Sequence, residues 1–371
     1  MAIMLISCES KKETTLLFVG SYTDKKPGTG ISIYEFDNKT GEAELKFKVD
    51  TLINSSFLRL SPNGEYLYSV IESQMPYHGK VAAFSIDSLH GKISLLNMQD
   101  CGGRNPVHLT MDESGQYLIN SNYTDPSLSI FEVRADGSLS KNLQEITFQG
   151  SSIIEGRQDA PHLHSANFSP DGSYVFAQDL GTDNIHRFNV TKDSDGLLSL
   201  HRDNPIDVKP GSGPRHFTFH PNGKYAYGLA ELSGKVTAYQ VTEDSLVYVE
   251  EYQANSTYHD IYRSADIHIS PDGKFLYASN RGSDENTIAI FSINGDDGKL
   301  KLVGHESTHG EHPRNFAIDP SGNFLLVANQ LSDNIVIFRR NIDTGKLLKL
   351  SHEITCGKPS SLQMHNYKLY R

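Results

Sequence analysis

Five residues of types that serve acid–base chemistry and anion binding occupy matching positions in a repeated pattern. Each lies eight residues before or eight residues after the glycine of a recurring turn: His164, Arg215, Glu231, Arg281 and Arg314. Arginine binds phosphate or carboxylate through paired hydrogen bonds, whereas histidine and glutamate can exchange protons with a bound molecule. Because the strands on either side of a tight turn run back along each other, the two sets are expected to meet at one end of the hairpins.

Further polar residues lie close to these positions and are expected to contact the same bound molecule. They are His162, His216, Asp266, His268 and Asn315. The arginines exceed what Glu231 and Glu72 can neutralise, so a small anionic molecule is the expected partner. A purely structural alternative remains, in which the arginines pair with carboxylates only to hold neighbouring strands together.

Other site chemistries leave no recognisable pattern. His162-Leu163-His164 and the series His305, His309 and His312 could ligate a metal, but neither has the spacing of a zinc motif. The sequence contains no Gly-x-Ser-x-Gly elbow, P-loop or dinucleotide fingerprint. We therefore expect neither a bound metal nor a cofactor.

The turns that position these residues recur along the chain. Pro-Asn/Asp/Ser-Gly, or its degenerate copy Asp112-Glu113-Ser114-Gly115, places glycines at 64, 115, 172, 223, 273 and 322, separated by 51, 57, 51, 50 and 49 residues. A strand-like segment such as Tyr66–Val70 follows each glycine, and alternating segments such as Ile288–Phe291 come next. Four antiparallel strands in about fifty residues are typical of a β-propeller blade.

A seventh copy is divided between the two ends of the chain. Segments near Leu16–Ser21, Gly30–Phe36 and Leu45 match the second to fourth strands, and Gly357–Met364 matches a first strand. Pairing them closes the ring and removes exposed sheet edges. The sequence thus predicts an all-β, seven-bladed propeller as a single domain over residues 15–371, preceded by a tail at 1–14.

Composition limits the partners of the protein. The 371 residues carry a net charge of −11, with 37% hydrophobic and 21% charged residues. An acidic chain is a poor match for nucleic-acid phosphates, and no run of 18 apolar residues indicates a membrane span. The oligomeric state is not predicted.

The N-terminus allows two interpretations of the cellular location. Leu5-Ile6-Ser7-Cys8 is similar to a bacterial lipobox, but no basic residue and only seven residues precede Cys8. If the printed start is genuine, a cytoplasmic protein is expected. The alternative is an exported lipoprotein anchored through Cys8.

Six short motifs contain the candidate site residues: Pro161-His162-Leu163-His164-Ser165, Gly213-Pro214-Arg215-His216, Ala230-Glu231-Leu232, Ala265-Asp266-Ile267-His268, Ser279-Asn280-Arg281-Gly282 and His312-Pro313-Arg314-Asn315-Phe316. They resemble the motifs of one family, the propeller-type 6-phosphogluconolactonases, which are similar to the carboxymuconate-lactonising enzymes. The resemblance runs from about Leu16 to Met364. It implies a seven-bladed propeller and metal-free hydrolysis of 6-phospho-D-glucono-1,5-lactone in the oxidative pentose phosphate pathway.

The same resemblance implies a catalytic set of one histidine, two arginines and a glutamate. By motif these are His164 or His162, Arg215, Arg281 and Glu231. In the resulting hypothesis, Glu231 or His164 is the general base, Arg215 and Arg281 stabilise the oxyanion, and Arg314 binds the 6-phosphate. A glutamate beside arginine has a low pKa, which favours histidine as the base without deciding the matter.

Two alternatives to a phosphosugar lactonase follow from the same residues. The arginines could bind the carboxylates of an unphosphorylated substrate in a lactonase or lactonising enzyme. A non-catalytic propeller that binds an anionic ligand or a protein is the other alternative, and export through Cys8 would favour it.

Overall fold

The repeat folds into seven antiparallel sheets arranged as a β-propeller. The computed structural model describes residues 12–369 except 244, 261 and 283, so Cys8 and its lipobox-like segment lie outside the described residues. All regular elements of the described chain are strands. No helix in this part of the chain is long and apolar enough to cross a bilayer.

Each blade after the first contains four strands that follow one another along the chain, and blade 4 adds a short fifth strand. Blade 1 contains β1 (Lys12–Ser21), β2 (Ile31–Phe36) and β3 (Ala43–Val49), and blade 2 contains β4 (Leu58–Leu60), β5 (Tyr66–Ile71), β6 (His78–Asp87) and β7 (Lys92–Arg104). Blade 3 contains β8 (Pro106–Met111), β9 (Tyr117–Asn122), β10 (Ser127–Glu132) and β11 (Gln144–Thr147). Blade 4 contains β12 (Leu163–Phe168), β13 (Tyr174–Asp179), β14 (Asn184–Lys192), β15 (Leu198–Arg202) and the short β16 (Ile206–Asp207), which pairs with β14.

Blades 5 to 7 follow the same order. Blade 5 contains β17 (Pro214–Phe219), β18 (Tyr225–Ala230), β19 (Lys235–Val241) and β20 (Leu246–Gln253). Blade 6 contains β21 (Ser264–Ile269), β22 (Phe275–Asn280), β23 (Thr287–Ile293) and β24 (Leu300–Ser307). Blade 7 contains β25 (Pro313–Ile318), β26 (Phe324–Asn329), β27 (Asn334–Arg340) and β28 (Leu347–Thr355). The last strand, β29 (Pro359–Leu369), joins blade 1.

Pairing between the two ends of the chain closes the ring, as the sequence predicts. β29 runs antiparallel to β1, with Leu17 opposite Met364, and completes the order β29-β1-β2-β3. Seven apolar clusters fill the spaces between consecutive blades, including a cluster that joins blade 7 to blade 1 through residues such as Leu326 and Leu17. The core is therefore continuous around the ring.

The recurring turn has a local physical cause. All six of its glycines adopt a positive φ of 70° to 73°, a conformation that side chains other than glycine rarely adopt. At five of the six turns, a side-chain oxygen three residues before the glycine accepts a hydrogen bond from the first amide of the next strand, as in Tyr66 N to Ser61 Oγ at 2.9 Å. At the turn of Gly223 the equivalent residue is His220, whose Nδ1 accepts from Asn222 N at 3.1 Å. These two requirements explain why the turn motif repeats.

The innermost strands deviate from regular pairing near one mouth of the ring. The register of β17 shifts between Pro214 and His216, and that of β25 shifts between Pro313 and Asn315. In a regular strand, successive side chains alternate between faces, but a bulge inserts an extra residue. Both Arg215 and His216 consequently line the same cavity.

Candidate functional site

A buried carboxylate surrounded by arginines lies at the mouth of the channel. Glu231 Oε2 accepts hydrogen bonds from Arg215 Nε at 3.0 Å and from Arg281 Nη2 at 2.9 Å, and Glu231 Oε1 accepts one from Arg157 Nη2 at 2.7 Å. Burial would raise the pKa of Glu231, but the three guanidiniums outweigh it and lower the pKa to about 2. Glu231 is therefore ionised and is a poor proton acceptor at neutral pH.

Arg281 is held in place on three sides. It donates to Glu231, to the backbone carbonyl of Arg263 at 3.1 Å, and from Nη1 to His312 Nε2 at 3.0 Å. Because His312 accepts this bond, its ring is neutral, and burial together with the nearby arginines lowers the pKa of His312 to about 3. Arg281 therefore has fewer free donors than Arg215, whose partners among the described residues are Glu231 and the carbonyl of Ala265.

The cluster carries an excess of positive charge. The guanidiniums of Arg157, Arg215 and Arg281 donate to the carboxylate of Glu231, and the guanidinium of Arg314 is close enough to repel those of Arg215 and Arg281. Burial, followed by repulsion from Arg215, lowers the pKa of Arg281 to about 9, and burial lowers the pKa of Arg215 to about 10. Glu231 thus compensates only in part for removing these cations from water, and an anionic ligand would supply the missing charge.

Arg314 forms neither a hydrogen bond nor an ion pair with the described side chains. Its guanidinium carbon lies 5.2 Å from the ring centroid of Tyr22, whose buried hydroxyl also has no partner in the described structure. Arg314 lines the cavity beside Arg215 and is only partly buried. It is therefore the arginine of this group with its donors free for a ligand.

A second network lies beside the arginines, around Asp266. His216 Nδ1 is 2.7 Å from Asp266 Oδ1, and His268 Nε2 is 2.9 Å from Asp266 Oδ2, which also accepts a bond from Asn315. Burial opposes ionisation of this carboxyl, but His268 and His216 hold the pKa of Asp266 well below its usual range. Although burial alone would lower the pKa of His268, Asp266 raises it.

The two histidines of the first motif have different environments. His162 stacks on Tyr123 with ring centroids 4.2 Å apart, and its Nδ1 lies 2.9 Å from the Tyr123 carbonyl. His164 is 5% exposed, forms no hydrogen bond through Nδ1 in the described structure, and lines the cavity with Arg215. Burial and then Arg215 lower the pKa of His164 well below its usual value. His164, rather than His162, therefore adjoins the arginines.

The structure brings most of the predicted site residues together. His164, Arg215 and Arg314, predicted from the offset before the glycine, line one cavity with His216 and Asn315 and with Ser56 and Val107, which have the same offset. Glu231 and Arg281, from the offset after it, join them through ion pairs. Their roles in chemistry stay predictions.

Some of the expected contacts are absent. Glu72, counted as a partner of the arginines, instead pairs with Lys80 at 3.0 Å. Leu180, which also lies eight residues after a turn glycine, is a buried apolar residue and offers no polar contact.

Three contributors to the site could not be identified from the repeat alone. Arg157 lies in the connection between β11 and β12, where the interval between turn glycines is 57 rather than about 50 residues. Tyr22 follows β1, and His312 stands two residues before Arg314, as His162 does before His164. In the sequence, the longer interval between turn glycines indicates an insertion, and this insertion contains Arg157.

Metal-ligand geometry is not found in the described residues, since no three His, Cys, Asp or Glu side chains there are grouped to hold an ion. Two histidines of the series considered as ligands have other partners. His305 lies in β24 and bonds the Ala254 carbonyl at 2.8 Å, while His309 is 3.8 Å from Glu306.

Comparisons with known proteins identify relatives over almost the whole chain. The family model described as "Lactonase, 7-bladed beta-propeller" matches residues 16–364. The chain is 62% identical over 351 residues to a 6-phosphogluconolactonase of Formosa agariphila, covering 95% of this chain and 99% of that protein. It is 34% identical to a 6-phosphogluconolactonase of Bacillus subtilis, covering 92% and 96% respectively. The solved periplasmic gluconolactonase of Pseudomonas aeruginosa has a TM-score of 0.89 at 31% identity, covering 95% and 99%.

Proposed function

This chain belongs to the seven-bladed β-propeller lactonase family, and we propose that it hydrolyses 6-phospho-D-glucono-1,5-lactone to 6-phosphogluconate. The reaction is the hydrolysis of a cyclic carboxylic ester and would supply the oxidative pentose phosphate pathway. The observation that carries the proposal is the arginine cluster, in which three guanidiniums contact the carboxylate of Glu231 and a fourth, that of Arg314, lines the cavity beside Arg215. A phosphorylated lactone provides both the anion and the developing oxyanion that such a cluster stabilises.

The arginines differ in how many hydrogen-bond donors they have free, and this favours different roles for them. Arg215 lines the cavity and keeps N–H groups beyond those bonded to Glu231 and Ala265, so we assign it to the carbonyl oxygen of the lactone. Arg281, fixed by Glu231, His312 and the Arg263 carbonyl, supports the orientation of Glu231. Glu231 in turn acts as the counter-charge that holds Arg157, Arg215 and Arg281 in position.

Arg314 is the candidate for the 6-phosphate. Its guanidinium forms no ion pair with described residues and stacks on Tyr22, whose hydroxyl is also without a partner there. A guanidinium can donate two parallel hydrogen bonds to phosphate, and a tyrosine hydroxyl can donate a third. His162, on the Tyr123 side of the mouth, is assigned to the sugar hydroxyls.

A second candidate function is hydrolysis of an unphosphorylated sugar lactone. The similarity to the periplasmic gluconolactonase of Pseudomonas aeruginosa favours it. The two functions imply different locations, because a phosphorylated sugar lactone is formed in the cytoplasm, whereas an exported protein would meet the unphosphorylated lactone. We propose the cytoplasmic phosphosugar reaction as the principal function.

The test is an initial-rate measurement with freshly generated 6-phospho-D-glucono-1,5-lactone, coupled to 6-phosphogluconate dehydrogenase. Wild type is compared with Arg215→Ala and with Arg339→Ala, whose exposed guanidinium packs on Phe324 outside the cavity. We expect wild-type and Arg339→Ala rates well above spontaneous hydrolysis, and an Arg215→Ala rate near it. Equal rates in all three samples would contradict the proposal.

Parallel assays with D-glucono-1,5-lactone separate the two candidates. A wild-type kcat/KM that is higher for the phosphorylated lactone supports the first. A preference for the unphosphorylated lactone would establish the second candidate in its place.

A further inference from the structure

Two buried imidazole nitrogens beside the arginines have no hydrogen-bond partner in the described structure. They are His164 Nδ1 and His216 Nε2, and the two residues are 5% and 7% exposed. Leaving buried polar atoms unsatisfied is costly, so such atoms in a folded protein indicate an absent water or ligand. The ring centroids of His164 and His216 are 5.2 Å apart, close enough for one small molecule to contact both rings.

The proton on His216 can be assigned from its neighbour. His216 Nδ1 lies 2.7 Å from Asp266 Oδ1, and an ionised carboxylate only accepts hydrogen bonds. Nδ1 therefore carries the hydrogen, and Nε2 of the neutral ring presents a free lone pair. This is the arrangement of a base whose orientation is fixed by a carboxylate.

The unpartnered nitrogens belong to residues that line one small cavity. His164 and His216 share it with Arg215 and Arg314, the two arginines assigned above to the lactone carbonyl and to the phosphate. The cavity has room for about one water molecule. A water there would lie between the two histidines and next to the arginines that hold the substrate.

We propose that this cavity binds the water molecule that attacks the lactone, that His216 is the general base for that attack, and that Asp266 positions His216. The inference rests on the proposed lactonase function and names the residue that activates water in it. It assigns His216 and Asp266, expected from sequence to contact the substrate, to the activation of water.

The proposed step conserves atoms, protons and electrons. The water oxygen forms a bond to C1 of the lactone while one water proton moves to His216 Nε2, and the carbonyl electron pair becomes an oxyanion beside Arg215. Collapse of the oxyanion breaks the bond between C1 and the ring oxygen. The ring oxygen takes the proton from His216, which restores the neutral imidazole and yields the open-chain hydroxy acid.

Other candidate bases are less well placed. Glu231 is occupied by three guanidiniums, and His164 has no carboxylate on its ring. The groups facing His216 are Arg215 on its own strand, Asp266 and His268 on β21, His164 on β12 and His108 on β8. Burial and then Arg215 lower the pKa of His216 to about 4, opposed by Asp266, so the ring is unprotonated at neutral pH.

The first experiment compares His216→Gln with wild type and with His220→Gln. His220 lies on the same blade in the turn at the far end, where its ring bonds the Gly273 carbonyl at 2.9 Å. We expect His216→Gln to lower kcat for the phosphorylated lactone about 100-fold or more, whereas the Kd of 6-phosphogluconate measured by calorimetry changes less than about threefold. His220→Gln should retain wild-type kcat.

Asp266→Asn tests the positioning role. Asp266 raises the pKa of His216, so its loss should lower kcat and move the acid limb of the kcat–pH profile to lower pH. A loss of packing alone would lower kcat without moving that limb. A high-resolution crystal structure of the wild type should show a water within hydrogen-bond distance of both His216 Nε2 and His164 Nδ1, and this holds even if the variants do not fold.

The outcomes separate this inference from the function on which it rests. An active wild type together with a fully active His216→Gln, or a dry cavity in the crystal, overturns the water site and leaves the lactonase function standing. A wild type that hydrolyses neither lactone above background overturns both.

Discussion

Arg281 and Glu231 occupy equivalent positions, eight residues after the turn glycine, in consecutive blades, and an ion pair of 2.9 Å joins them. The same positions that align in sequence therefore contact each other in space. The pair links blades 5 and 6 at the mouth, and the second oxygen of Glu231 extends the link to Arg157 in the connection that leads into blade 4. Changes at Glu231 should consequently affect stability as well as activity.

Glu231→Gln is expected to destabilise the protein. Removing the carboxylate charge leaves buried guanidiniums without their counter-ion, which costs about 3–5 kcal/mol when a buried pair is broken. The matched control is Glu251→Gln on the same blade, whose partly exposed bridge to Lys235 is worth about 0–1 kcal/mol. Urea denaturation measures both, and similar losses in the two variants would contradict the buried-cluster interpretation.

The stabilisation from Glu231 should depend on pH. Its pKa is lowered from 4.5 to about 2, so the contribution is complete above about pH 4.5 and is lost as pH falls towards 2. Wild type should lose about 3 kcal/mol more than Glu231→Gln over this interval. Denaturation midpoints at several pH values test this, and parallel curves for the two proteins would rule it out.

Arg314→Ala should change substrate preference. Because Arg314 is assigned to the 6-phosphate, we expect kcat/KM for the phosphorylated lactone to fall about 10- to 100-fold, the loss of a charge-assisted contact. The value for D-glucono-1,5-lactone should change little. Arg339→Ala, another arginine stacked on an aromatic ring, is the control. Equal losses with both lactones would assign Arg314 to the reacting end of the substrate instead.

Anion binding should stabilise the fold. The excess positive charge at the mouth is relieved by a phosphate-bearing anion, and a ligand present at 100 times its Kd adds about 2.7 kcal/mol to the free energy of unfolding. In thermal denaturation, 6-phosphogluconate should raise Tm more than gluconate does at the same concentration. The shift should be reduced in Arg314→Ala, and an undiminished shift there would place the phosphate elsewhere.

The fold was predictable because one local requirement recurs. The turn needs a glycine with positive φ and a side-chain acceptor three residues earlier, and these constraints mark six of the seven blades in the sequence. The divided blade was predictable for a related reason, since Gly357–Met364 has the pattern of an inner strand without partners after it. The observed β29 pairs with β1 in this way.

The site was predictable only where it follows the repeat. Arg215, Arg314 and Glu231 have fixed offsets from a turn, whereas Arg157 lies in an insertion without such an offset. The repeat also does not predict that Glu72 pairs with Lys80, because this contact depends on which side chains meet in the folded protein. The shared orientation of Arg215 and His216 results from a bulge, and a strict alternation of strand faces does not predict it.

The position of β29 has a consequence for the timing of biosynthesis. β1, β2 and β3 leave the ribosome before the other blades, but the strand that completes their sheet is translated after all of them. Blade 1 therefore waits through almost the entire translation with the edge of β1 unpaired, and the nascent chain must avoid joining that edge to another chain. Assembly of the arginine-lined mouth is expected to follow synthesis rather than accompany it.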